Sequence, residues 1–199
     1  MENFFLNIGL TWTLSKLLPF VIMLVLGILL VFLTRRKLKK RWMRNTSFVL
    51  LLIPVAVYFL INPIYEGDFS NNFRVEKAGS VYKEMEKGTL SVITIPGCPF
   101  CLQSIANLKV IKNRVESKKD INFIVCSDSI SDLKKYEDES NGELNVKLAK
   151  DFKAMVKLAG GVGIATFPTF VYTSKSGEMT VWSNDGFGVI ARDWVEEKL

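Results

Sequence analysis

The chain has 199 residues, 49% of them hydrophobic, a formal net charge of +6 and no histidine, so it holds one ordinary domain plus something smaller. With three cysteines and no histidine, a four-ligand zinc site, covalent haem attachment and papain-like Cys/His catalysis all lack the residues they need. The charge does not mark a nucleic-acid binder, because it is local: Arg35, Arg36, Lys37, Lys39, Lys40, Arg41 and Arg44 stand together without an acid, whereas 18 Lys and Arg meet 19 Asp and Glu from Glu66 onward.

The first element in chain order is the uncharged run Leu17 to Leu33, about 26 Å long as a helix. Its basic residues follow the run, the reverse of a cleavable secretory signal, so it reads as a transmembrane span. A second uncharged run, Phe48 to Ile61, is shorter. With Thr46, Ser47, Ile64 and Tyr65 added it reaches a spanning length. The expected anchor is therefore residues 1–65, with transmembrane helices at about 14–34 and 46–65 and a basic loop at 35–45. The positive-inside rule makes that loop cytoplasmic, which puts the N-terminus and everything after Tyr65 on the extracytoplasmic side of the cytoplasmic membrane. Trp12, Trp42 and Tyr65 lie near the run ends, where interfacial aromatics belong. If the second run only lay in the interface, the rest of the chain would face the cytoplasm.

Residues 66–79, polar and without sustained periodicity, read as a linker, and residues 80–199 as one domain. A short helix is predicted at Ser80 to Glu86 and a strand at Leu90 to Ile95. A helix begins around Cys98, with Cys101, Ile105, Leu108, Ile111 and Val115 on one face. Ile121 to Cys126 is a second strand, and the mixed charges of Ser127 to Glu143 read as a solvated loop or short helix. Leu144, Leu148, Phe152, Met155 and Ala159 predict a helix closed by the glycines at 160–163. Thr169 to Tyr172 and Met179 to Trp182 form a hairpin around "TSKSGE", and Phe187 to Lys198 is the last helix. The class is α/β, with a parallel first pair of strands and an antiparallel last pair.

The chemistry lies in "PGCPFC", where a strand hands over to a helix. Cys98 at the helix N-terminus has its thiolate favoured by backbone N–H groups and the positive end of the dipole. Pro99 suits a first turn that needs no N–H. Cys101, one turn inward, is the expected resolving thiol. A merely structural disulfide here would close too small a loop to stabilise much. Cys126, at the end of an apolar strand, reads as a buried inert thiol.

These features resemble the thioredoxin-like superfamily, in which a strand precedes Cys-x-x-Cys at a helix start. The superfamily's second landmark, a cis-proline before an antiparallel strand, matches "ATFPTFVY" at Phe167-Pro168, and the Gly-Val-Gly before it, the hairpin and the "NDGFG" turn are also similar. The resemblance covers roughly Ser80 to Leu199. It implies a mixed central sheet flanked by helices, catalytic Cys98 and Cys101, and a substrate groove at Phe167, Pro168, Pro99 and Phe100. Thioredoxins proper carry Trp before the first cysteine, Gly-Pro between the two and a buried acid six residues upstream, where this chain has Gly97, Pro99-Phe100 and Val92. Cys-Pro-aromatic-Cys is closer to glutaredoxins, and Cys-Pro-x-Cys also occurs in periplasmic oxidases.

The implied function is a membrane-anchored thiol–disulfide oxidoreductase acting on protein cysteines, with no cofactor. Residues 1–97 contain no cysteine, so a separate redox protein or small thiol must reset the pair, and lipid meets only the anchor. The alternative from another class is a non-catalytic adaptor or assembly factor that keeps the groove as a binding surface.

Overall fold

The computed structural model describes residues 1–37, 49–65, 67–77, 82, 85–115, 121–160 and 166–199. The chain forms two compact units, Met1–Glu66 and Gly67–Leu199.

The first unit contains α1 (Glu2–Asn7), α2 (Trp12–Lys37) and α3 (Val49–Ile61). In α2 the stretch Trp12–Thr34 has a mean hydropathy of 2.9 and is long and apolar enough to cross a membrane. Only one described helix meets that condition, not the two expected. The 13 residues of α3 rise about 20 Å, short of the roughly 30 Å hydrocarbon core. Asn62 ends α3, donating its backbone N–H to the Tyr58 carbonyl at 2.8 Å. Most of the predicted basic loop lies outside the described residues. Phe20 of α2 meets Tyr58 of α3 edge to face, with ring centroids 4.9 Å apart.

The second unit is a six-stranded mixed sheet with flanking helices, which fits a thioredoxin-like α/β fold. Its elements are β1 (Asn71–Lys77), β2 (Thr89–Thr94), α4 (Pro99–Arg114), β3 (Asn122–Val125), α5 (Ile130–Ser140), β4 (Asn145–Leu148), α6 (Phe152–Ala159), β5 (Thr169–Thr173), β6 (Glu178–Phe187) and α7 (Val189–Lys198). The strand order is β1-β6-β5-β2-β3-β4. β2 runs parallel to β3, and β5 pairs antiparallel with β6, as the sequence predicts; β2 also pairs antiparallel with β5. Residues 90–94 and all of β3 and β5 are buried, the continuous pattern of strands covered on both faces. Arg114 on α4 and Glu196 on α7 form a half-buried ion pair at 3.0 Å that joins the two helices.

Three expectations need correction. Residues 66–79 are not a plain linker, because Asn71–Lys77 is strand β1, paired antiparallel with β6. Phe73 and Val75 alternate with polar residues, but the run holds only these two apolar side chains and both remain exposed on this edge strand. What fixes β1 is Trp182: fully buried, it donates its Nε1–H to Asn71 Oδ1 at 2.9 Å and packs against Phe73, Phe187 and Trp194.

The predicted helix through Leu144 and Ala159 is instead β4 followed by the shorter α6. Asp151 caps α6, its carboxylate accepting from the Ala154 N–H at 2.9 Å, and the stretch before it pairs with β3. Phe152, placed by periodicity on the core face, is exposed. Finally, "NDGFG" is not a turn ahead of the last helix: Asn184 to Phe187 belong to β6. The pairing Asn71↔Phe187 and Phe73↔Trp182 leaves residues 183–186 opposite a single residue of β1, which is a bulge. The expected helix at Ser80 to Glu86 and the Gly-Val-Gly at 161–163 lie largely outside the described residues.

The turn Gly67–Ser70 belongs to this unit as well. The Asp68 carbonyl accepts the Val189 N–H at 2.6 Å, satisfying one of the donors that the N-terminus of α7 leaves open. Gly188 allows that approach, since a Cβ there would sit inside contact distance of the Gly67 and Asp68 carbonyls and 2.7 Å from the Ser70 nitrogen. Gly188→Ala is therefore expected to destabilise the domain by about 1–3 kcal/mol, the cost of overpacking against backbone. Urea denaturation of the full chain in detergent measures it, and an unchanged midpoint contradicts the contact.

Candidate functional site

β2 is a central strand, and the chain leaves it at Ile95-Pro96-Gly97 before turning into α4. Gly97 takes φ +70, a left-handed conformation that a side chain would disfavour. Cys98 is the N-cap of α4 and Pro99 its first residue. Cys98 and Cys101 form a disulfide with their Cα atoms 5.3 Å apart. The Cys98 Sγ accepts the Cys101 backbone N–H at 3.2 Å, so the sulfur occupies the place of a capping oxygen. In the dithiol form a thiolate at Cys98 would keep that N–H bond and meet the positive end of a 16-residue helix. Cys101 is fully buried and Cys98 is 5% exposed, so the N-terminal cysteine is the one nearer to solvent.

The Phe167-Pro168 peptide bond is cis, and it leads directly into β5 beside β2. The Phe167 carbonyl oxygen lies 3.9 Å from Cys98 Sγ. The two sequence landmarks, separated by 69 positions, are thus brought together at the end of the central strands. Pro99 and Phe100 lie on the outer surface of the same end, with Phe100 46% exposed. Phe167 and Pro168 are themselves buried. Val92 is fully buried in β2. Cys126, just beyond β3, is buried and outside the disulfide, and its backbone N–H donates to the Thr94 carbonyl at 2.8 Å.

Two positioning residues escaped the sequence reading. Ser104 donates its hydroxyl to the Cys101 carbonyl at 2.7 Å, inside the first turns of α4. Tyr136 sits in the mixed-charge segment that reads as solvated, yet it is 1% exposed and stacks at a tilt on Phe123 with centroids 5.2 Å apart. Its hydroxyl donates to the Ile95 carbonyl at 2.8 Å, which ties α5 to the loop carrying Gly97 and Cys98. The available signal was that Tyr136 is the one aromatic among the charges of 127–143.

Burial, and secondarily the Asp132 carboxylate, pushes the Tyr136 phenol up to about 12. A group raised in the folded state contributes stability that is complete below its unfolded value near 10 and is lost as pH rises through the folded value. The domain is therefore expected to lose stability between about pH 10 and 12, and Tyr136→Phe to lack that component. Denaturation midpoints across that window check it, and identical pH profiles for the two proteins contradict it.

No protein-family model matches the sequence, and no curated relative matches it. Among solved structures, the chain is similar to a thioredoxin-like protein from Bacteroides caccae, at 18% identity and a TM-score of 0.36. The alignment covers 78% of this chain and 63% of that one. The fold assignment rests instead on the sheet topology, the CxxC pair at a strand-to-helix junction and the proline beside it. Those features fit a thioredoxin-like α/β fold.

Proposed function

We propose that this chain is a membrane-tethered thiol–disulfide oxidoreductase acting on protein cysteines outside the cytoplasm. The observation that carries the reading is the Cys98–Cys101 disulfide at the N-terminus of α4, with Cys98 Sγ beside the Phe167 carbonyl. As a reductase, the Cys98 thiolate attacks one sulfur of a substrate disulfide, forming a mixed disulfide and releasing the other sulfur as a thiolate. Cys101, deprotonated, then attacks Cys98 Sγ, releasing the second substrate thiolate. Two electrons have passed to the substrate, and Cys98–Cys101 is oxidised. The reverse sequence oxidises a substrate dithiol. A separate dithiol, disulfide or small thiol completes the cycle.

Polypeptide substrate would lie against Phe167, Pro168, Pro99 and Phe100. Thiol–disulfide exchange separates this reading from the adaptor: the Cys98→Ser/Cys101→Ser protein should lose it and the cellular phenotype together. An adaptor would keep the phenotype.

The membrane reading adds a second crossing to α2. The uncharged residues on either side of α3 lengthen its apolar stretch, and the basic cluster from Arg35 to Arg44 favours a cytoplasmic loop. The domain then lies on the extracytoplasmic side of the cytoplasmic membrane. A cysteine introduced at Ser70 should react with an impermeant thiol reagent on intact cells. Protection of that cysteine until the cells are lysed would make the domain a cytoplasm-facing reductase.

A further inference from the structure

Beside the disulfide lies a cavity of about 160 Å³ that the exchange chemistry leaves unused. It opens between the first turns of α4, the bulge of β6 and the start of α7. Its floor is Phe170 stacked on Phe187, with centroids 3.8 Å apart and planes 11° from parallel. Its walls carry the side-chain amides of Gln103, Asn107 and Asn184 and the guanidinium of Arg192, whose Nε is buried. Among the described residues, the lining holds that one formal charge and no carboxylate. An apolar floor beneath amide donors and one guanidinium suits a short aliphatic stem ending in a carboxylate.

Size and place narrow the occupant. A cavity of about 150 Å³ accommodates one benzene, so the space takes one side chain and falls well below the range of about 300–1,000 Å³ typical of drug-sized ligands. The rim is Phe100, which stands between the two cysteines, and Ser104, also in the lining, is bonded to the Cys101 carbonyl. At about 1.5 Å per residue, Phe100 and Ser104 stand about 3 and 9 Å along α4 from Cys98. An extended polypeptide advances about 3.5 Å per residue, so a residue two or three places from a cysteine bound at Cys98 reaches the opening.

We infer that this cavity is a specificity pocket for an acidic side chain, glutamate above all, near the reactive cysteine of the polypeptide substrate. The inference deepens the proposed oxidoreductase function and rests on it for the identity of the occupant. The guanidinium and amides hold the carboxylate, and the stacked rings hold its methylenes.

The test uses the full chain in detergent, dithiothreitol as reductant, and peptide disulfides in which Glu or the isosteric Gln is stepped from three residues before the cysteine to three after. At one position Glu is expected to raise kcat/KM about tenfold over Gln, equivalent to about 1.4 kcal/mol. Arg192→Gln should remove the preference, and Asn107→Asp, which places a like charge in the cavity, should do so with Arg192 still present. Both variants should still fold and carry a Cys98–Cys101 pair that dithiothreitol reduces, showing that any loss is one of substrate preference. Equal rates for Glu and Gln at every position, or a preference that survives both variants, overturn the proposal.

A second arm does not depend on exchange. In the Cys98→Ser/Cys101→Ser protein, the linear Glu peptide should shift the side-chain amide NMR signals of Gln103, Asn107 and Asn184, and the Gln peptide should not. Shifts without exchange activity in the parent protein would leave the pocket standing and remove the oxidoreductase reading. No shift overturns the pocket. Free glutarate acting as strongly as the peptide overturns the polypeptide source.

Discussion

Cys101→Ser should accumulate mixed disulfides through Cys98, and Cys98→Ser should form none. The asymmetry follows from position. Cys98 caps α4 and is the more exposed sulfur, whereas Cys101 is fully buried one turn inward. An incoming disulfide meets Cys98 first, and without Cys101 nothing releases the product. Protein-disulfide reduction should fall by roughly 10³-fold or more in either variant, the scale expected when a reacting group is removed. Non-reducing gels of alkylated cell extracts read the trapped species, which dithiothreitol must dissolve. Trapping by Cys98→Ser in place of Cys101→Ser would reverse the assigned roles. Isolation of the trapped adduct would also identify the substrate.

The largest expected effect on stability belongs to Trp182→Ala. The indole is fully buried and contacts Phe73, Phe187 and Trp194, while its N–H bonds Asn71. Truncation removes a large apolar area, leaves a cavity and orphans the Asn71 acceptor, at a cost of about 3–5 kcal/mol. That is a substantial share of the roughly 5–15 kcal/mol that holds a domain together. Denaturant titration of the full chain in detergent, followed by the remaining tryptophans, measures the loss. A cost below about 1 kcal/mol would mean that β1 is not held to the sheet as described. Trp182→Phe, which keeps much of the packing and deletes only the N–H, should cost about 1 kcal/mol.

The same region shows what the sequence could and could not display. β2, α4, β3 and the β5–β6 hairpin were legible because each combines a buried face with a local punctuation signal, such as Pro99 at the start of α4 or the turn before Glu178. β1 was not legible. It is an edge strand whose partner, β6, lies more than a hundred residues later, and its two large apolar residues stay about half exposed. β4 was hidden by accident of spacing, since Leu144 and Leu148 fit a helical period that Asp151 interrupts by capping α6.

The site divides in the same way. Cys98, Cys101 and the Phe167-Pro168 pair carry their own short motifs, and the fold brings Cys98 Sγ within 3.9 Å of the Phe167 carbonyl oxygen. Tyr136, Ser104 and Arg192 carry none. Their place depends on α5, α4 and α7 meeting the ends of the sheet, which no local pattern encodes. The bulge in β6 that sets Asn184 at the cavity also looks, in sequence, like an ordinary Asn-Asp-Gly turn.

The central claim is that Cys98 and Cys101 are a working redox couple. Its most direct measurement is alkylation of acid-quenched full-length protein across a series of oxidised and reduced dithiothreitol ratios, with thiols counted by mass. A single reversible two-electron transition is expected, in which Cys98 and Cys101 gain or lose label together while buried Cys126 stays constant. A pair that remains locked in one state across the series, or a transition that involves Cys126 in place of either, would contradict it.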